Sequence, residues 1–220
     1  MMGSQNCHAE ISFQDNAKWL ARFRLVRSSS PPGIVRDWIL RSEAATMTYL
    51  QRHTSIRTPR IFDWVCELDP ENPIGVGYIL METLDGKPLD WQAATPVQRE
   101  KIMQQLVDMF LEIEKHPFNI YIGSLVSVGD TMDVQGLAHH STFGVGEGPL
   151  GPFFSSLEGS QALLKSYLAM IASGEIDTRY PVDTYLAHRF RLDITTGLWE
   201  HVPLGGKFFL KHPDDKGEQL

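Results

Sequence analysis

The apolar positions near the start of the chain fall in two short stretches rich in strand-forming residues, "CHAEISF" at 7–13 and "KWLARFRL" at 18–25, separated by the turn-forming "QDNA". This pattern predicts a β-hairpin. Successive strand side chains point to opposite faces, so Trp19, Ala21, Phe23 and Leu25 share one face of the second strand and Leu20, Arg22 and Arg24 the other. After "RSSSPPG" the period changes. Ile39, Glu43, Met47 and Leu50 lie along one stripe of a helix predicted from about Val35 to His53. A carboxylate at Glu43 inside that stripe asks for a partner: solvent, its neighbour Arg41, or a cation from another element.

"RIFDWVCEL" and "VGYILME" predict two more strands, joined across the turn-rich "DPENPIG". Beyond "LDGKPLD", Thr95, Pro96 and Gln98 supply the cap, first-turn proline and box residue of a helix start. An apolar stripe through Ile102, Met103, Leu106, Met109, Phe110 and Ile113 then runs toward Pro117, with Met103 and Met109 expected in the core. Two further helices are predicted, one around Leu163 to Ile171 closed by Gly174, the other from Pro181 to about Ile194. Between them and the first helix of this half, residues 122–156 are glycine-rich and lack a clear period, which predicts a long insertion with short strands. The expected fold is α+β with two parts: a β-rich unit over residues 1–86 and a mainly helical unit over residues 87–220.

Composition changes this picture little. The chain has 220 residues, 42% hydrophobic and 21% charged, as in ordinary globular proteins. Its net charge of -7 and its lack of a Lys/Arg run argue against nucleic-acid binding and favour a neutral or cationic partner. No stretch is apolar for the roughly 20 residues a membrane helix needs. Cys7 and Cys66 stand far apart with no C-x-x-C companion, so a reducing, cytoplasmic setting is expected.

Several residues invite a chemical reading and each has a plainer one. "FGVGEGPLG", with Gly144, Gly146 and Gly148, imitates a phosphate-binding loop but lacks the following Lys-Ser/Thr, and it reads better as part of a flexible insertion. His139 and His140 have no third ligand at a metal-like spacing. Arg22 and Arg24, taken alone, are surface strand residues whose stems cover apolar area. "HPDDKGE", taken alone, is a polar tail.

Taken together and in order, "KWLARFRL", "SEAATMTYLQRHTSIRTPRIFDW", "NPIGVGYILMETLDGKPL", "IGSL" and "GKFFLKHPDDKG" resemble the aminoglycoside phosphotransferase and choline kinase-like family, in its fungal form, within the protein kinase-like superfamily. The resemblance spans nearly the whole chain. It implies a two-lobe kinase-like fold, with a small antiparallel β lobe and a mainly helical large lobe, incomplete here because the chain stops soon after the catalytic loop. It further implies transfer of the ATP γ-phosphoryl group, with magnesium, to a hydroxyl of a small neutral or cationic molecule.

By the same resemblance, Asp214 orients the attacking hydroxyl and His212 buttresses its loop. Arg22 takes the place of the lysine that touches the phosphates, with Glu43 as its partner. Met81, Glu82, Thr83 and Leu84 form the hinge along the adenine, and Gly3 and Ser4, with Gln5 and Asn6, are what remains of the loop over the phosphates. Gln219 stands where the family ligates magnesium. Two departures, Arg for Lys at 22 and no second metal-binding Asp after the loop, keep open an alternative: a catalytically inactive kinase-like module that binds or scaffolds a protein partner.

Overall fold

The computed structural model describes residues 6–28, 30–86, 89–118, 121–129, 131–139, 142–144, 148–200 and 206–211. Strands β1 (Asn6–Ser12) and β2 (Lys18–Arg24) form the expected hairpin, with Cys7 opposite Phe23 and Ala9 opposite Ala21. Helix α1 (Gly33–His53) crosses to β3 (Ile61–Val65) and β4 (Tyr78–Glu82). All pairs are antiparallel, in the order β1-β2-β4-β3, so β4 runs beside β2 and β3 becomes an edge.

Residues directly opposite each other in a sheet share a face. Leu20 opposes Met81 and Arg22 opposes Ile79, which puts this set on the side that α1 covers. Leu40 and Ala44 of α1 close on Ile79, Met81 and Cys66, with Met47, Leu20, Ile61 and Trp64 around them. Ile79 is fully buried; truncating it to Ala would cost about 2–5 kcal/mol. The other face carries a row of rings, Phe13 edge-on to Trp19 and Trp19 stacked on Phe62.

The buried line of α1 runs through Val35, Leu40, Ala44 and Ala45 rather than along the expected Ile39 stripe. The helix is covered twice, which a single stripe cannot describe. Its second cover is a hairpin, β5 (Ser124–Val128) and β6 (Thr131–Gln135), whose first strand packs on α1 and buries Leu125 and Val126. The Trp38 indole donates to the Gly136 carbonyl at 3.1 Å and ties the two together. Gly123 opens this hairpin for a steric reason: a Cβ there would stand 2.0 Å from the Gln135 carbonyl oxygen. The short pair β7 (Phe143–Gly144) and β8 (Gly148–Pro149) completes the insertion.

Helix α2 (Pro96–Glu114) starts as its sequence predicts, with Thr95 and Gln98 bonding each other's backbone in a capping box. Its apolar stripe is not core. Met103 is 52% and Met109 41% exposed, while Ile102, Leu106 and Ile113 are only half-buried. Helices α3 (Ser156–Ala172) and α4 (Pro181–Trp199) pack on each other and bury Leu164, Leu168 and Ile171, while Val182, Leu186, Phe190 and Leu198 of α4 face outward. No described helix is long and apolar enough to cross a membrane.

Candidate functional site

Arg22 sits mid-strand on β2, its chain position fixed by hydrogen-bonded neighbours on both sides, His8 of β1 and Ile79 of β4. One helical turn past Leu40, Glu43 projects from α1 toward it, and Arg22 Nη2 donates to Glu43 Oε2. The two side chains are 20% and 35% exposed, so both remain open to solvent. An ion pair at that exposure contributes only about 0.2–1 kcal/mol. Its main effect is positional: it fixes a guanidinium beneath the sheet and couples β2 to α1.

Arg24, two residues on and on the same face, lies beside this pair. Burial pushes its guanidinium down from the ordinary arginine range, and the Glu43 carboxylate pulls it back up. Two arginines and one carboxylate leave the spot cationic in a molecule whose net charge is -7. Such a concentration of charge attracts anions. Arg41, the sequence-adjacent alternative for Glu43, is engaged elsewhere and donates from Nε to Cys66 Sγ at 3.4 Å.

β4 leads out of the sheet into residues 82–84. Met81 is in the core and serves packing. Glu82 is tied to the edge strand twice, its N–H donating to the Arg60 carbonyl at 2.8 Å and its carboxylate accepting from the Arg60 N–H at 3.2 Å. The Thr83 hydroxyl is buried with no hydrogen-bond partner, and no hydrogen bond among the described residues uses the backbone of Thr83 or Leu84. Buried polar groups without partners are uncommon and ask for one. This segment can therefore receive a planar polar ligand along its backbone.

Gly3, Ser4, His212, Asp214 and Gln219 lie outside the described residues. The stretch that leads into His212 is anchored: Phe208 and Phe118 exchange two backbone hydrogen bonds of 2.8 Å, and the Phe118 ring lies 5.4 Å from Tyr49 of α1. The structure thus brings together Arg22, Glu43 and the 81–84 segment around one sheet. Among the described residues no group of three or more His, Cys, Asp or Glu side chains could hold a metal ion.

Sequence reasoning missed a second polar constellation, near the start of α1. The Arg36 guanidinium pairs bidentately with Glu67, one of its bonds at 2.9 Å, and also donates to the Pro31 carbonyl. Asp37 accepts from the Glu67 N–H at 2.7 Å and the Leu68 N–H at 3.0 Å. Arg36 and Asp37 are buried, so this clasp closes the β3 exit onto the helix. No local spacing announces a pairing across about thirty residues.

Comparison with known proteins adds distant relatives only. No family model matches the chain, and no solved structure matches it. It is 35% identical over 91 residues, 40% of its length, to a subtelomeric hrmA-associated cluster protein of Aspergillus fumigatus strain Af293, of which this covers 17%. A second protein of the same description, from A. fumigatus strain CEA10, is 36% identical over 86 residues, covering 38% of this chain and 16% of that protein. The matches thus span about a sixth of the length of these relatives.

Proposed function

We propose that this chain carries the nucleotide-binding part of an aminoglycoside phosphotransferase-like kinase, which transfers the ATP γ-phosphoryl group to a hydroxyl of a small molecule. The observation that carries the reading is the Arg22–Glu43 pair between the second strand and the helix that follows it. Phosphoryl transfer needs a positioned cation more than covalent chemistry, and a cation held by a helix carboxylate beneath an antiparallel sheet supplies one. The unbonded Thr83 hydroxyl and the unused backbone of Thr83 and Leu84 fit an adenine edge, so ATP suits the residues present. Arg22 would hold its phosphates and Glu43 would keep the guanidinium in place. Asp214 would orient the acceptor hydroxyl, and His212 would support its loop. Magnesium would be shared by Gln219 and the phosphates.

A non-catalytic reading, a kinase-like module that binds a protein partner, rests on Arg22 itself. A planar guanidinium fork already engaged by a carboxylate does not present charge to a phosphate as a compact ammonium does. ATP titration followed by calorimetry separates the two. Binding that weakens about tenfold or more in Arg22→Ala and survives in Arg22→Lys supports the nucleotide site. Equal affinity in all three proteins removes Arg22 from the role. If ATP binds but the chain shows no magnesium-dependent turnover, the binding-module reading stands instead.

A further inference from the structure

A groove of about 500 Å³ runs along the opposite edge of the sheet, well away from Arg22. Its floor is the C-terminal half of α1 through Thr48, Gln51 and Arg52, and its far wall is the β5–β6 hairpin around Gly129. The near wall is β3, which contributes Ile61, Phe62, Asp63 and Trp64 in unbroken succession. Side chains of consecutive strand residues point to opposite faces, so what these four have in common is the strand's edge, its backbone. β3 is the end of the sheet order, and no described strand pairs with that edge.

The groove also carries charge. Arg52 and Arg60 are both exposed, and neither guanidinium has a hydrogen bond or ion pair among the described residues. Arg60 is held over the Phe62 ring at 5.5 Å, which positions it without neutralising it. The groove's described carboxylate, Asp63, already accepts the Tyr78 hydroxyl at 3.0 Å. A row of unpaired backbone groups beside two free guanidiniums suits a ligand that is both extended and anionic.

The geometry points to a docking site for an extended acidic peptide segment, which adds to the edge of β3 as a further strand and places carboxylate side chains on Arg52 and Arg60. The register shift between Ile61 and Asp63 keeps the ladder short, so charge supplies the selectivity that ladder length cannot. The site does not depend on nucleotide binding.

The probe is a fluorescein-labelled octapeptide of alternating Glu and Val, followed by fluorescence anisotropy with the full chain. Saturable binding is expected, weakened about tenfold or more by Arg52→Ala with Arg60→Ala, which remove exposed side chains and leave the core intact. Methylating one of the peptide's two alternating sets of amide nitrogens should abolish binding, and the other set should be tolerated. Charge reversal, Arg52→Glu with Arg60→Glu, should transfer the preference to a Lys-Val peptide. The proposal is overturned if binding is absent or indifferent to both arginines. It is equally overturned if citrate displaces the peptide as well as an equal concentration of peptide carboxylate does, or if both sets of methylated amides bind like the parent.

Discussion

At Asp37 one carboxylate does the work of a turn. Its two oxygens accept the backbone N–H groups of Glu67 and Leu68 as the chain leaves β3, and its own carbonyl lies 3.7 Å from the Cys66 thiol. Removing a buried charged acceptor leaves its donors without partners, at about 1–3 kcal/mol for each unsatisfied group. Asp37→Ala should therefore lower unfolding free energy by about 3 kcal/mol in denaturant titration. Asp37→Asn, which keeps one acceptor oxygen, should lose less. Equal and small losses for both would mean that water replaces the carboxylate freely and that the clasp is not structural. By contrast, Ala at Arg22 breaks a pair that is partly open to water, so its effect should be read in nucleotide affinity and hardly in stability.

At the scale of elements, α2 makes a charged contact with the end of α1. Glu112 accepts the Lys115 ammonium at 2.7 Å and the Ser55 backbone N–H at 2.9 Å. These donors, Lys115 first, lower its carboxyl from the ordinary 4.5 to about 2. A carboxyl lowered by the folded contacts favours them while ionised, so this contribution is present above about 4.5 and is lost as pH falls toward 2. The Ser55 amide resonance should titrate with a midpoint near 2, and Glu112→Gln should remove that titration. A midpoint near 4.5 would mean that the contact does not form in solution.

The same elements show what a sequence can disclose. Local signals carried over well: the hairpin of β1 and β2, the Thr95–Gln98 box, and the stop at Gly174, whose φ of +76° an ordinary side chain rarely adopts. The Arg22–Glu43 pair was implied by the family resemblance alone: strand alternation and helical period placed each residue on a face but did not join them. Long-range choices were not legible. Periodicity finds an apolar face but not what covers it, which is why the α2 stripe stands exposed while α1 is covered on two sides. The same limit hid Arg36 with Glu67, and the groove at β3, since a sheet's edge depends on strand order.

For the whole molecule, the question is how the two sequence-defined parts depend on each other. Although β5 follows residue 86, it packs on α1 of the first part, and Leu125 and Val126 are each 4% exposed. A fragment ending at Gly86 would keep the four-stranded sheet and its helix but strip that cover. The α1 surface that Leu125 and Val126 cover would then meet water, at about 1.5–3 kcal/mol for each side chain of that size uncovered, and the Trp38 indole would lose the Gly136 carbonyl as well. The sum, about 5 kcal/mol, is comparable with the whole stability of a small domain. The fragment should accordingly melt without a cooperative transition, or far below the full chain, by circular dichroism. A fragment that melts cooperatively at the temperature of the full chain would show instead that the sheet and α1 stand alone and that the hairpin is an appendage. In that case the wall of the β3 groove opposite the strand would be free to move, and peptide affinity there should fall with it.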